Sequence, residues 1–233
     1  MPPEAARPHA GSTTMNITSK PPRRILVVDD HPIVRLGVRQ MIATEADLSV
    51  CCEADTAEAA LQAVRRDQCD LAIVDLSLGT VIGLELIRQL HEAAPALPVL
   101  VLSMHDEALF AERALRAGAR GYIMKKEAIG GLIGAVRQIL AGKVYVSEQV
   151  SQRLLGQLGG DVFAPVGRLG GLTDRELEVF ELVGRGLSTA DIAKRLGVSA
   201  KTIETYRSNV KTKLKLKDAK ELLRYATSWT ERL

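Results

Sequence analysis

The feature that most constrains the fold of this chain is an alternation of short apolar runs with amphipathic stretches, repeated five times from residue 25. The first, third and fourth runs are continuously apolar, as strands buried on both faces are. The alternation therefore predicts an α/β fold: a doubly wound, five-stranded parallel sheet with helices on both faces and right-handed crossovers. The runs are Ile25–Val28, Leu48–Cys52, Leu71–Val74, Val99–Leu102 and Gly121–Met124, and the helical stretches cover 32–43, 56–66, 83–93, 107–117 and 127–141.

The segments around this unit have a different composition. Residues 1–23 are rich in proline and small polar residues, which predicts a disordered tail, and they lack the apolar core of a signal peptide. Six of the sixteen residues 156–171 are glycine, so 146–171 is predicted to be a linker, although Glu148–Leu158 has a pattern that can prolong a helix. The chain is then helical from Leu172 to its end. We therefore expect one domain over 24–145 and a second, all-α domain over 172–233.

Composition excludes several classes of protein. Of the 233 residues, 46% are hydrophobic and 25% charged, which is typical of a soluble globular protein. No run approaches the roughly 18 apolar residues of a membrane span, so no membrane association is expected. The cysteines Cys51, Cys52 and Cys69 lack paired metal-ligand spacing. They favour a cytoplasmic, reducing location and a packing role over a disulfide scaffold or zinc ribbon.

The net charge of +3 is unevenly divided along the chain. Residues 25–140 carry 11 Lys and Arg against 16 Asp and Glu, whereas residues 199–220 carry seven basic residues against two acidic ones. The basic patch near the end favours a polyanionic partner, with double-stranded DNA as the first candidate.

Polar residues follow the apolar runs at the points where strands are predicted to end. Asp29 and Asp30 follow the first run, Asp75 the third, Ser103 the fourth and Lys125 the fifth. The carboxyl ends of parallel strands meet at one edge of a sheet, so these side chains are expected to converge. Crowded carboxylates attract a hard cation, and Mg²⁺ takes oxygen ligands while keeping waters for a phosphoryl group. A carboxylate beside Mg²⁺ can attack a phosphoryl donor, with Lys125 and Ser103 holding the new oxygens.

These residues carry a resemblance to a known family. Residues 25–142 resemble the receiver domain of bacterial two-component response regulators, which has a flavodoxin-like fold. The matching segments are Leu26–Asp30, Ile73–Leu76, Ser103 and Gly118–Lys125.

The resemblance implies a role for each residue. Asp75 would accept a phosphoryl group from a sensor histidine kinase and lose it at most slowly, so the chain is not expected to be an enzyme. Asp29, Asp30, Asp75 and the backbone carbonyl of Ser77 would bind Mg²⁺. Ser103 and Tyr122 would form the switch, and Lys125 would bind the phosphoryl group.

Two details of this region depart from the family or carry a separate interpretation. Leu78-Gly79 replaces the family's usual Met-Pro, which is expected to loosen the loop that carries Ser77. Ser77 and His105 occupy positions where the family tunes hydrolysis of the acyl phosphate. We interpret His31 as a residue at the start of a helix and His105 as a surface residue, in preference to a catalytic role for either.

The last part of the chain has a helix-turn-helix pattern. Thr173–Glu176 form a capping box, which predicts a helix from residue 174. A short helix at Thr189–Leu196 ends at Gly197, and Ser199 precedes a third helix at about 200–214. Its inner face has Ile203, Val210 and Leu214, and its outer face has Lys201, Glu204, Thr205, Ser208 and Thr212.

Residues 172–216 also resemble the LuxR-type DNA-binding domain, so the whole chain is similar to the NarL/FixJ family of response regulators. The matching segments are Leu172–Glu176, Gly186–Ser188, Ile192-Ala193, Lys201–Glu204 and Asn209–Lys211. The resemblance implies that the third helix of this domain contacts base edges through Glu204, Thr205 and Ser208. It also implies phosphate contacts by Lys201, Thr202, Arg207, Asn209 and Lys211, and a homodimer, when phosphorylated or DNA-bound, through Leu222, Leu223 and Ala226.

Glu204 stands where family members often have lysine. A carboxylate accepts a hydrogen bond from cytosine N4 and cannot bond the acceptors of guanine, so a different base preference is expected. The other interpretation is that Glu204 pairs only with Lys201 or Ser208.

The sequence therefore predicts a transcription regulator controlled by phosphorylation. Two alternatives stay open: a phosphorylation-independent DNA-binding protein whose receiver only dimerises, and an aspartyl-phosphate phosphohydrolase. The second is disfavoured because the sequence offers no separate general base near Asp75 and no cap domain.

Overall fold

The computed structural model describes residues 21–78, 81–158 and 167–231. The first domain has a five-stranded, wholly parallel sheet of order β2-β1-β3-β6-β7, which confirms the predicted fold class. Its strands are β1 (Arg23–Val28), β2 (Leu48–Ala54), β3 (Leu71–Val74), β6 (Val99–Ser103) and β7 (Gly121–Met124). Two short strands, β4 (Ser77–Leu78) and β5 (Val81–Ile82), pair as an antiparallel hairpin after β3 that the sequence did not predict.

The helices of the first domain cover both faces of this sheet. Alternate residues of each buried strand point to opposite sides, so two apolar clusters form. One lies between the sheet and the helices α1 and α5, and the other between the sheet and α2, α3 and α4. The helices are α1 (Pro32–Ala43), α2 (Ala57–Arg66), α3 (Gly83–Ala93), α4 (Glu107–Arg116) and α5 (Ala128–Leu140).

The predicted linker contains regular structure. A helix, α6 (Glu148–Leu158), lies within it, and a 3₁₀ turn spans Gly167–Gly171. The backbone N–H of Ser147 donates to Glu107 at the start of α4 (2.8 Å), and Val150 is buried against the first domain. Residues 159–166, like Gly79 and the predicted disordered tail up to residue 20, lie outside the described residues.

Over its described residues, 172–231, the second domain has four helices, α7 (Asp174–Gly184), α8 (Thr189–Leu196), α9 (Ala200–Leu214) and α10 (Ala219–Thr230). The predicted capping box is present, because Thr173 accepts from the backbone N–H of Glu176 while the Glu176 side chain accepts from that of Thr173. Gly197 ends α8 in the left-handed conformation, with φ of 64°. The inner face of α9 is fully buried, as predicted.

Among the described residues, no helix combines the length and apolar character needed to cross a bilayer.

Candidate functional site: an acidic pocket linked to the second domain

The acidic pocket lies at the carboxyl edge of the sheet, where β1, β3 and β7 end. Lys125 donates from Nζ to Oδ2 of Asp29 and to Oδ2 of Asp75, both at 2.7 Å. Both carboxylates are buried, and the second oxygen of Asp29 accepts from the backbone N–H of His31 (2.8 Å). The structure thus brings together the three residues that the sequence placed at three separate strand ends.

Gly83 fixes the loop that follows Asp75. Its backbone N–H donates to the carbonyl of Leu76 (2.9 Å), and an added Cβ would lie 2.4 Å from the Leu76 Cα and 2.5 Å from the Asp75 carbonyl oxygen. Only glycine therefore fits where α3 begins.

The charges of the pocket act on one another strongly because they are buried. Burial raises the pKa of the Asp75 carboxyl, and neighbouring Asp29 adds to this effect, whereas Lys125 opposes it. Burial alone would lower the pKa of Lys125, but the two carboxylates raise it above its ordinary value. Lys125 therefore stays protonated and holds the two carboxylates together.

The donor set fits a divalent cation. Ligand atoms of Asp29, Asp30, His31 and Asp75 lie within 4.8 Å of one another. Oδ1 of Asp75 is buried and has no hydrogen-bond partner among the described residues. A buried carboxylate oxygen without a partner is costly, and an oxygen-seeking ion such as Mg²⁺ would satisfy it.

Ser103 and Tyr122, which the sequence predicts to form a switch, lie next to this pocket and both contact the backbone of His105. Ser103 is buried, and its Oγ accepts from the backbone N–H of His105 (3.1 Å). Tyr122 is also buried, and its hydroxyl donates to the backbone carbonyl of His105 (2.9 Å). The ring of Tyr122 therefore already lies in the interior of the first domain.

The prediction that His105 is a surface residue is wrong, because α7 of the second domain covers it. Its side chain is 4% exposed and lies 4.7 Å from the ring of Phe110. Nε2 is 2.9 Å from Oγ of Ser77, and Nδ1 is 2.6 Å from a carboxylate oxygen of Glu181. His105 therefore connects the loop that follows Asp75 to the second domain. The prediction for His31 is confirmed, since it immediately precedes α1.

A second set of contacts between the domains surrounds Arg113 of α4. Arg113 donates to Oδ1 of Asp174 (2.8 Å) and to the carbonyls of Leu172 (2.8 Å) and Leu169 (3.2 Å). Arg88 donates to the other oxygen of Asp174 (3.1 Å). Sequence reasoning missed this interface; the only signal was acidic residues at apolar positions of α7, of which Glu181 is one.

The outer face of α9 is exposed while the domains are docked. Lys201, Glu204, Thr205, Ser208 and Asn209 are all exposed, and Thr202, Arg207 and Lys211 are partly so. All the residues predicted to contact DNA thus lie on the α9 segment.

Glu204 pairs with neither Lys201 nor Ser208. Its carboxylate accepts from the hydroxyl of Thr189 in α8 (2.7 Å), and Arg207 in turn donates to that hydroxyl (2.7 Å). Glu204 is therefore held in position at the start of the exposed face.

The predicted dimer face on α10 is wrong for two of its three residues. Leu222 and Ala226 are buried in the domain's own core, because α10 packs against α7, and only Leu223 is exposed.

The comparisons with known proteins agree with both halves of this arrangement. Residues 25–137 match the response regulator receiver domain, and residues 171–226 match the luxR family of bacterial regulatory proteins. The transcriptional activator protein ExaE of Pseudomonas putida is 38% identical over 207 residues, which cover 87% of this chain and 94% of ExaE. The chain belongs to the NarL/FixJ family of response regulators.

Other response regulators show the same similarity over nearly their full length. The transcriptional regulatory protein UhpA of Escherichia coli is 34% identical, over 86% of this chain and 95% of UhpA. RcsB of Salmonella enterica, bound to a promoter in the presence of the phosphomimetic BeF₃⁻, is 26% identical with a TM-score of 0.61, over 88% of this chain and 98% of RcsB. A structure of two RcsB dimers bound to two parallel DNAs is 28% identical with a TM-score of 0.54, over 89% and 98%. The family to which this chain belongs is one of transcriptional regulators and not of classical enzymes.

Proposed function

We propose that this response regulator is a cytoplasmic DNA-binding protein switched by Mg²⁺-dependent phosphorylation of Asp75 by a sensor histidine kinase. The proposal rests on the carboxylate of Asp75. Lys125 donates to one of its oxygens (2.7 Å), and the other oxygen is buried and has no hydrogen-bond partner among the described residues. That second oxygen is available both to a metal ion and to a phosphorus atom.

Asp29, Asp30, Asp75 and the backbone carbonyl of Ser77 would hold the Mg²⁺ ion. The ion would supply positive charge against the oxygens of the incoming phosphoryl group. A carboxylate oxygen of Asp75 attacks phosphorus, the P–N bond of the kinase phosphohistidine breaks, and the released imidazole takes up a proton. Lys125, already 2.7 Å from Asp75, is placed to pair with a phosphoryl oxygen.

The signal would pass to the second domain through His105. When the Ser103 hydroxyl turns toward the phosphoryl group, it no longer accepts the hydrogen bond that the backbone N–H of His105 donates to it in this structure. The backbone that carries His105 then moves, and the contact of its ring with Glu181 is lost. The removal of one partner from a buried ion pair leaves the other charge uncompensated, so this step favours separation of the domains.

The freed second domains would bind two half-sites as a dimer. Each α9 would place Glu204, Thr205 and Ser208 at base edges, and Lys201, Thr202, Arg207, Asn209 and Lys211 at phosphates. Dimerisation raises the effective concentration of the second domain at its half-site.

The intact mass of the protein after incubation with acetyl phosphate tests the first step. We expect a phosphoryl adduct that requires Mg²⁺ and is absent from Asp75→Asn. Asp55→Asn is the matched control, because Asp55 is an exposed aspartate just beyond the end of β2 and outside the pocket. Absence of the adduct from wild type with both acetyl phosphate and the cognate kinase would reject the proposal.

A phosphorylation-independent regulator is the second candidate, because α9 is exposed while the domains are docked. Operator affinity separates the two. Equal affinity for Asp75→Ala and for wild type with a phosphodonor would favour the independent function, whereas tighter binding by the phosphorylated wild type favours the switch.

A further inference from the structure

The three cysteines of the chain form a compact cluster on the face of the sheet that α2 covers. The Cys51 and Cys52 sulfurs are 3.2 Å apart, those of Cys51 and Cys69 are 3.5 Å apart, and those of Cys52 and Cys69 are 3.7 Å apart. All three are free thiols of intermediate exposure. Sequence spacing separates Cys69 from the other two, so only the fold brings them together.

A β-bulge in β2 allows the side chains of two consecutive cysteines, Cys51 and Cys52, to reach Cys69. Ile25 of β1 pairs with Val50 and Leu26 pairs with Cys52, so Cys51 is an additional residue in β2. Consecutive side chains of a regular strand point to opposite faces, whereas a bulge re-aims a side chain. The sulfurs of Cys51 and Cys52 therefore both reach Cys69, which lies in the loop between α2 and β3.

We propose that this cluster binds a soft, thiophilic metal ion through its three sulfur atoms. A zinc–thiolate bond is about 2.3 Å long, which places sulfurs around a tetrahedral ion about 3.8 Å apart. The three distances between sulfurs are slightly shorter than this, so small side-chain rotations suffice to admit an ion. Sulfur donors select soft ions over the hard Mg²⁺.

The surroundings of the cluster leave room for an ion and for a fourth ligand. No histidine or carboxylate of the described residues joins the three sulfurs as a potential ligand, which leaves a fourth position for water. A cavity of about 650 Å³ that is lined by Cys69 gives an ion access to the cluster. The carboxylates that line it, Asp67 and Asp70, already pair with Arg66 and Arg23, so the attraction for an ion comes from the sulfurs. On binding, each S–H bond breaks, a sulfur–metal bond forms and the proton passes to solvent.

The cluster is separate from the acidic pocket. Cys52 pairs with Leu26, three residues before Asp29, and Leu26 pairs with Ala72, three residues before Asp75. At about 3.3 Å per residue, the cluster lies about 10 Å back along the strands from the carboxylates. A hard-ion site and a soft-ion site thus share one sheet without sharing a ligand.

Oxidation is the competing chemistry for neighbouring thiols. Consecutive Cα atoms are about 3.8 Å apart, less than the roughly 4.4 Å at which disulfides begin to be common, so a bond between Cys51 and Cys52 is disfavoured. A disulfide between Cys69 and either of the others is the alternative that the experiment must distinguish.

Titration of the reduced, full-length protein with Cd²⁺ in the absence of oxygen tests the proposal. Thiolate-to-cadmium charge-transfer absorbance should rise linearly and saturate at one equivalent. Cys69→Ser should weaken binding by at least about 10-fold, since it removes a ligand and not merely an outer-shell contact. Asp55→Asn is the control and should give the same thiolate-to-cadmium absorbance as wild type, and excess Mg²⁺ should not reduce that absorbance.

Alkylation of the wild type, followed by intact-mass measurement, gives an answer that does not depend on the folding of a variant. Cd²⁺ should protect all three thiols together. Protection of only two of the three thiols, or unchanged binding in Cys69→Ser, would overturn the three-sulfur site. A disulfide that forms readily with a mild oxidant, together with no Cd²⁺ absorbance, would overturn it in favour of redox chemistry.

Discussion

Lys125 is the residue on which the stability of the acidic pocket depends. Its side chain is 12% exposed and bridges the carboxylates of Asp29 and Asp75. Lys125→Ala leaves two buried carboxylates facing each other, so we expect a loss of about 3 kcal/mol in the free energy of unfolding. Urea denaturation without Mg²⁺ measures this loss, and Mg²⁺ should restore part of it.

Lys126→Ala is the matched control for this change. Lys126 is the next residue, but it is exposed, so its loss should change stability by less than about 0.5 kcal/mol. Equal effects of the two substitutions, or no recovery of Lys125→Ala by Mg²⁺, would show that charge repulsion in the pocket is not the cause.

The pocket residues could be predicted from the sequence, whereas the residues that link the domains could not. Asp29, Asp75 and Lys125 each follow a strand, and the geometry of a parallel sheet alone brings strand ends together. His105 shows no such pattern, because its burial depends on Glu181, which lies 76 residues later. The cysteine cluster escaped prediction for a related reason, since its geometry depends on a bulge that no residue type marks.

At the scale of elements, one glycine sets how closely two helices of the second domain approach. A Cβ at Gly184 of α7 would lie 2.6 Å from the carbonyl oxygen of Ala226 in α10 and 2.8 Å from a methyl group of Thr230. Gly184→Ala should therefore lower the free energy of unfolding by about 2 kcal/mol, despite the better helix propensity of alanine. Thermal unfolding followed by circular dichroism measures the effect.

Gly134→Ala in α5 is the opposite case. An added Cβ there meets nothing within 4 Å, so the substitution should stabilise the protein by up to about 1 kcal/mol. If both substitutions stabilised the protein, α7 and α10 would not be in tight contact at Gly184.

The start of α9 carries a prediction about base preference. Glu204→Gln keeps an acceptor for the hydroxyl of Thr189 but introduces the amide that pairs with adenine. We expect preference at one base pair to shift from cytosine toward adenine by about 1–3 kcal/mol, measured by selection from a randomised duplex library.

Lys201→Ala should instead weaken binding to all sequences alike, because a phosphate contact carries no base information. An unchanged preference in Glu204→Gln would mean that Glu204 serves only to hold Thr189 and Arg207.

Element bounds were predicted more accurately than element roles. The helices Pro32–Ala43 and Gly83–Ala93 and the start of α7 fall where periodicity and the capping box placed them, since those signals are local. The role of α10 was mistaken because the same apolar stripe serves either a dimer or the domain's own core. Only the packing of α10 against α7 shows which of the two it is.

At the scale of the whole molecule, Arg113 is the residue that joins the two domains most directly. It donates to Asp174 and to two backbone carbonyls. Arg116, about one turn along α4, pairs with Glu112 of the same helix and with no residue of the second domain within the part of the chain that the structure describes. Arg113→Ala should destabilise the docked state by about 2 kcal/mol, which lowers the equilibrium constant for docking about 30-fold. Small-angle scattering should show a larger radius of gyration for Arg113→Ala than for wild type, and no increase for Arg116→Ala.

Docking and phosphorylation must influence each other equally if they are coupled at all. If a phosphoryl group on Asp75 weakens docking, then docking weakens binding of a phosphoryl mimic by the same factor, so a change that weakens docking should strengthen binding of the mimic. Arg113 does not touch the pocket, so a tighter equilibrium affinity of Arg113→Ala for beryllofluoride with Mg²⁺ can arise only through the domain interface. Equal affinities of Arg113→Ala, Arg116→Ala and wild type would mean that docking is not coupled to the pocket, and that the contact of His105 with Glu181 does not transmit a signal. That result would favour the phosphorylation-independent function.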